Sequence, residues 1–185
     1  MAFYRTRYRK TVYKTSVVRN YLEYQILPFF SSENSFQRIL IVGIAEFTQH
    51  YPLLFKQKEF VRTIDSDLSV AKFSFPQVHI VDSIENIEQH IDQDSLDLVL
   101  MNGVYGWGLA SEDALRKSLS NIHISMKHEG VLVFGWNEID PYDPLKIRSR
   151  NYFDMFRPYL FKGESEIKIP ISKNPKQHVF SFFKK

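Results

Sequence analysis

No cysteine occurs among the 185 residues, which excludes a disulfide framework, a thiol nucleophile and a thiolate metal site. No apolar run approaches the roughly 20 residues of a membrane span. The amino terminus lacks the continuous apolar core of a secretory signal. No Gly-x-x-x-x-Gly-Lys-Ser/Thr stretch is present, so nucleoside triphosphate hydrolysis finds no support. The Gly-x-Gly-x-x-Gly turn that closes on a dinucleotide pyrophosphate is missing too, which argues against nicotinamide and flavin cofactors. The 6 histidines are scattered, and none pairs with a carboxylate at metal-ligand spacing. What is present is ordinary for a globular chain: 44% apolar and 24% charged residues, in a length that suits one domain. The aromatic share is high, carried by 16 Phe and 10 Tyr. A metal-free, cytoplasmic, monodomain protein is the expectation.

Charge is unevenly spread. Residues 1–30 hold six basic residues (Arg5, Arg7, Arg9, Lys10, Lys14, Arg19) against Glu23, a net of +5. Since the whole chain carries +3, the remaining 155 residues carry −2. The basic character belongs to an amino-terminal arm, residues 1–34, and the body is residues 35–185. Tyr13, Val17, Tyr21 and Tyr24 fall at helical spacing, and Pro28 is predicted to end that helix. The simplest role for the arm is a helix packed on the sheet edge with its basic side solvated. It could also lid a ligand site. Contact with nucleic acid or anionic membrane is a further possibility, not favoured on six charges.

Strand and helix signals alternate through the body. Arg38 to Val42 is a fully apolar strand ending at Gly43, as a buried parallel strand should be. A helix is predicted from Glu46 through Leu54, with Phe47, Tyr51, Leu54 and Phe55 on its apolar face. Phe60 to Ile64 and Val78 to Val81 read as strands closed by Asp65 and Asp82, and a turn and helix follow to Ile91. The richest stretch runs from Leu96 to Trp136. An apolar strand enters the loop Asn102-Gly103-Val104-Tyr105-Gly106-Trp107-Gly108; a helix, a turn at His128-Glu129-Gly130 and the strand Val131 to Phe134 come next. Strand, loop, helix, strand is a right-handed crossover that builds a parallel sheet. Tyr152 to Leu160 is predicted as a short helix or turn around Pro158. Glu166–Ile171 and His178–Phe183 read as strands, and the Ser172–Gln177 link is too short for a crossover, so this pair is antiparallel. The fold class is therefore α/β, doubly wound, with a mostly parallel sheet and a carboxyl-terminal antiparallel hairpin.

In open α/β sheets, ligands sit beyond the carboxyl ends of the strands. The NGVYGWGL and VLVFGWNE stretches lie there. Together with an acid after each of strands two and three, and with Phe156-Arg157-Pro158 and His178 to Phe183 further on, they resemble the class I S-adenosylmethionine-dependent methyltransferases. The likeness is to a bacterial group of small methyltransferase-fold proteins and covers roughly Arg38 to the carboxyl terminus. It implies a seven-stranded, Rossmann-like sheet, S-adenosylmethionine as cofactor and a small-molecule methyl acceptor. It implies that Gly43 lets backbone approach the methionine part of the cofactor. Asp65 would meet the ribose hydroxyls, Asp82 with Ser83 the adenine edge, and Asn102 with Gly103 the methionine and sulfonium. The first glycine loop departs from the family pattern. Ile41 stands where an acid is expected, and Ala45 and Phe47 stand where further glycines are expected. Phe47 would crowd a ligand unless the turn differs.

Acceptor contacts are expected from Trp107, Trp136 and Asn137, two tryptophans and an amide on neighbouring strand-end loops. No histidine is recognised at a strand end in this half, so proton removal falls to Tyr105, Glu138 or Asp140. Each residue also has a plainer reading. Asp65, Asp67 and Asp82 can cap the elements that follow them. The tryptophans can plug the end of the sheet. The Asn137-to-Pro144 loop can be a solvated, proline-stiffened turn. The activity implied is methyl transfer to a sugar or other small polar metabolite. The alternatives are a methyltransferase-like binding module without catalysis, and an enzyme of nucleic acid. Against the last, the loop after strand four lacks Asn/Asp-Pro-Pro-aromatic.

Overall fold

Apolar runs at Ile39–Val42, Leu98–Met101 and Val131–Phe134 set the central strands, and the sheet follows from them. The computed structural model describes residues 16–75, 77–138, 151–171 and 176–185. Five strands are parallel: β1 (Arg38–Val42), β2 (Phe60–Asp65), β3 (His79–Val81), β4 (Leu96–Asn102) and β5 (Met126–Asn137). The last strand, β8 (Gln177–Lys184), runs antiparallel beside β5, pairing Asn137 with His178 and Val131 with Lys184. Two strands share its outer edge. β6 (Arg157–Pro158) meets Lys184 and Phe183, and β7 (Glu166–Pro170) meets Ser181 through Gln177. The order is β3-β2-β1-β4-β5-β8, then β6 and β7. Seven positions thus hold eight strands.

Alternation along the strands makes two cores. Leu40, Val42, Val99, Met101, Leu132, Phe134 and Val179 face one side, against Leu115, Leu119 and Ile122 of a helix at Glu112–Ser125. Ser111 caps that helix, accepting from the Ala114 amide at 3.1 Å, and Glu112 and Asp113 suit its positive end. Ile39, Ile41, Leu98, Leu100, Val133, Phe180 and Phe182 face the other side, against the amino-terminal helix together with Tyr51 and Phe55.

That amino-terminal helix spans residues 17–32 as α-helical Val17–Tyr21, π-helical Leu22–Ile26 and α-helical Leu27–Ser32. Pro28 does not end it. The π turn just before the proline shifts the carbonyl its ring would strike, and proline has no amide to satisfy. The buried face is Leu22, Ile26, Leu27 and Phe30, whereas Val17 is 68% exposed and Tyr21 half-buried. The wide turn rotates the face away from the spacing read off the tyrosines; Tyr13 lies outside the described residues.

Three further elements differ from expectation. Residues 46–54 form a 3₁₀ turn at Glu46–Thr48 and a single helical turn at Tyr51–Leu54, with only Tyr51 and Phe55 of the expected face buried. Residues 152–160, expected as a short helix or turn, take the turn and then pass into the strand β6, because Phe153 and Phe156 anchor on Phe183 while Tyr159 donates its amide to Phe182. The turn at His128–Gly130 is an irregularity within β5, where the register with β4 slips and Glu129 takes a φ of 65°.

Candidate functional site

Gly43 ends β1 with φ +81°, a conformation that favours glycine, and donates its amide to the Ile64 carbonyl at 2.9 Å. The next amide, Ile44, donates to Asp65 Oδ2 at 2.9 Å, and the Asp67 amide donates to Asp65 Oδ1 at 2.9 Å. Asp65 therefore ties the first loop to the end of β2, and each oxygen keeps a lone pair for a ligand. Ala45 is extended and hands its amide to Thr48 Oγ1 at 2.9 Å, which opens the 3₁₀ turn. That turn carries Phe47 outwards, with Arg19 of the amino-terminal helix 4.0 Å over its ring. The loop accommodates Phe47 in the third glycine position because the turn is of another kind.

Asp82 follows β3, and its carboxylate is well supplied with donors. The Ser83 amide (2.7 Å) and Asn86 Nδ2 (2.9 Å) reach Oδ1, and His90 Nε2 lies 2.7 Å from Oδ2. The His90 contact, then Asn86 and the Ser83 amide, hold the Asp82 carboxyl below its ordinary range. Ser83 caps the 3₁₀ segment Ile84–Gln89. Asp67 likewise caps Leu68–Phe73, so the plainer capping reading holds for it.

Gly43, Asp65, Asp82 and Ser83 line one small cavity, closed by Val104 and Leu109 of the loop after β4. Its volume is about 40 Å³. Ligand pockets begin near roughly 300 Å³. Val104 accounts for part of the difference: its Cγ2 lies 3.1 Å from where a Cβ on Gly43 would be. A larger hollow of about 530 Å³ lies elsewhere, between Glu85, Glu88 and the exposed face of the Glu112–Ser125 helix. It is an open polar groove whose side chains bond one another, as Asn121 does with Glu88 at 2.7 Å, so the smaller strand-end cavity is the better site.

The remaining candidates gather around the ends of β4 and β5. Gly103 turns at φ +67° and donates to the Gly135 carbonyl at 2.9 Å. Tyr105 is buried in the first core, and Trp107 is 80% exposed at the loop tip. Trp136 is 2% exposed, with Nε1 donating to Ser181 Oγ at 3.2 Å; in this position it plugs the sheet and has no free face for a ligand. Glu138 pairs with Lys168 at 3.0 Å. Asp140 lies outside the described residues. Among the described residues no group of three or more His, Asp or Glu is placed to hold a metal ion, and no helix is long and apolar enough to cross a membrane.

One functional candidate escapes the sequence. His178, at the start of β8, is 4% exposed and touches Asn137 Oδ1 at 2.8 Å through Nδ1 and Asn102 Oδ1 at 2.9 Å through Nε2. Burial pushes its pKa down to about 4, so the ring is neutral. A histidine does stand at the end of the sheet where the parallel strands finish, because the antiparallel strand β8 begins there. Only the Asn137–His178 register reveals it.

No protein-family model matches the sequence, and no curated protein matches it either. Solved structures do match in shape. The N-methyltransferase NodS from Bradyrhizobium japonicum, in complex with S-adenosylhomocysteine, superposes with a TM-score of 0.65 at 12% identity, over 92% of this chain and 89% of that one. A SAM-dependent methyltransferase from Archaeoglobus fulgidus gives 0.62 at 15% identity, over 91% and 93%. The 1,6-didemethyltoxoflavin-N1-methyltransferase of Burkholderia thailandensis gives 0.58 at 11%, over 86% and 76%. The chain has the class I methyltransferase fold.

Proposed function

We propose that this protein transfers a methyl group from S-adenosylmethionine to a small polar molecule such as a sugar or related metabolite. The observation that carries the reading is the strand-end cavity, where Gly43, Asp65, Asp82 and Ser83 meet beyond the carboxyl ends of the parallel strands β1 to β3. In this reading Gly43 and Ala45 border the methionine, Asp65 takes the ribose hydroxyls and Asp82 with Ser83 the adenine edge. Asn102 and Gly103 pass the sulfonium. The Burkholderia neighbour holds 1,6-didemethyltoxoflavin together with S-adenosylhomocysteine, which supports a small-molecule acceptor.

The sulfonium is already activated, so aligning the acceptor is the protein's main task, and orientation contributes roughly 7–11 kcal/mol to such steps. Trp107 and Asn137 are the proposed acceptor contacts, and Trp136 supports Asn137 from the core. Tyr105, Glu138 and Asp140 are the proposed proton acceptors for an oxygen nucleophile. Glu138 would have to leave Lys168 to act.

Titration calorimetry with S-adenosylmethionine and S-adenosylhomocysteine tests the reading. Binding between low micromolar and millimolar is expected, equivalent to roughly 4–8 kcal/mol. A second reading, a binding module without catalysis, is favoured by the small cavity and the fully engaged Asp82. It wins if neither ligand binds at millimolar concentration.

A further inference from the structure

The imidazole of His178 bridges three strands. It sits on β8, reaches the Asn137 amide on the neighbouring β5, and reaches across β5 to the Asn102 amide on β4. The crossing needs a glycine. A Cβ on Gly135 would lie 1.9 Å from Asn102 Oδ1 and 3.0 Å from His178 Nε2, so no other residue at 135 leaves room for the bridge as it stands. Backbone pairing sets the same parts together, since Gly135 is the register partner of both Asn102 and Phe180.

A neutral imidazole has one donor and one acceptor nitrogen. It therefore takes the carbonyl of one asparagine and the amide N–H of the other. One of the two amides accordingly turns its Nδ2 to the ring, since an oxygen on both nitrogens would require a charged imidazole. The consequence reaches the surface. Asn102 and Asn137 are half-buried while His178 is buried, so each amide has one half held and one half near solvent. The free halves are of opposite kind, an N–H₂ from one and a C=O from the other.

We propose that His178 is a positioning residue for the methyl-transfer site: it fixes which way the Asn102 and Asn137 amides face at the ends of β4 and β5. This rests on the methyltransferase reading above. Neither ring nitrogen is free, so His178 acts through the two asparagines and not on the acceptor. Replacing it by the apolar ring of phenylalanine keeps the site filled but lets both amides turn.

The test compares S-adenosylhomocysteine binding by calorimetry for the parent, H178F, H178Q, N102A and the double variant N102A/H178F. The parent binds. H178F binds about tenfold more weakly, the size of one misdirected hydrogen bond. H178Q, which keeps a donor and an acceptor, recovers part of the loss. The double variant is no weaker than N102A alone, because the ring acts through that amide. Nitrogen-15 spectra of the His178 ring at pH 7 show a single fixed tautomer, with one nitrogen fully protonated and the other bare, where a ring held by packing alone averages its two tautomers. If H178F fails to fold, H178Q and N102A carry the comparison. Parent binding with undiminished H178F affinity, or with undiminished N102A affinity where H178F does not fold, overturns the positioning role alone. A parent that fails to bind at millimolar ligand overturns the methyltransferase reading, and this proposal with it.

Discussion

At the scale of single residues, the buried ionisable groups make the firmest predictions. His178 has amide partners that carry no charge, so nothing offsets the cost of protonating it. Its pKa falls from 6.5 to about 4 on folding. The unfolded chain takes up the proton first, so stability is complete above pH 6.5 and is lost as the pH falls from there towards 4. At about 1.4 kcal/mol per unit, the loss approaches roughly 3 kcal/mol. Urea midpoints from pH 7 to 4.5 should fall more steeply for the parent than for H178Q; equal slopes would place the proton elsewhere. Asp65 makes a second test. Its carboxylate accepts the Ile44 and Asp67 amides and, in the proposed complex, the ribose hydroxyls. Asp65→Ala should weaken S-adenosylhomocysteine binding by about 1.5–3 kcal/mol, measured by calorimetry.

At the scale of elements, the amino-terminal helix belongs to the second core. Leu22, Ile26, Leu27 and Phe30 are all within 4% exposure, and Phe30 meets Phe36 at 5.0 Å between ring centroids. Phe30→Ala should cost about 3–5 kcal/mol in denaturant unfolding. A loss under 1 kcal/mol would mean that the helix is an appendage. The helix also touches the segment after β1, through Arg19 over Phe47 and through Glu23, which accepts from the Tyr51 hydroxyl at 3.3 Å. Burial and then Glu23 push the Tyr51 pKa up, which keeps that hydroxyl a donor. The loop after β4 is the element that must give way to a ligand. Val104→Ala should enlarge the cavity above Gly43 and leave S-adenosylhomocysteine affinity unchanged or improved. A tenfold loss of affinity in calorimetry would show Val104 to be a contact instead of an obstruction.

For the molecule as a whole, the ligand and the fold are linked by mass action. S-adenosylhomocysteine at about 100 times its Kd should add roughly 2.7 kcal/mol to the unfolding free energy. For a chain of this length that is a rise in Tm of roughly 5–10 °C, read by calorimetric or fluorescence melting. A Tm that stays flat up to millimolar ligand would leave the fold without its cofactor and favour the binding-module reading.

The sequence by itself determined the sheet. Runs such as Ile39–Val42 and Leu98–Met101 have no polar face to expose, which commits them to a parallel interior, and the short Ser172–Gln177 link commits the last two strands to antiparallel pairing. It also placed Gly43, Asp65 and Asp82 at strand ends, because a strand's carboxyl end is where its apolar run stops. Tertiary structure decided the rest. The π turn before Pro28 and the outward turn of Phe47 depend on what each packs against. Trp136 sits in the core and Trp107 in solvent although both follow apolar strands, since burial depends on which neighbouring strand covers the position. His178 lies 76 residues from Asn102 in the chain, and only the register of β8 on β5 makes them neighbours. Local pattern records what a residue needs, and long-range pairing settles what it meets.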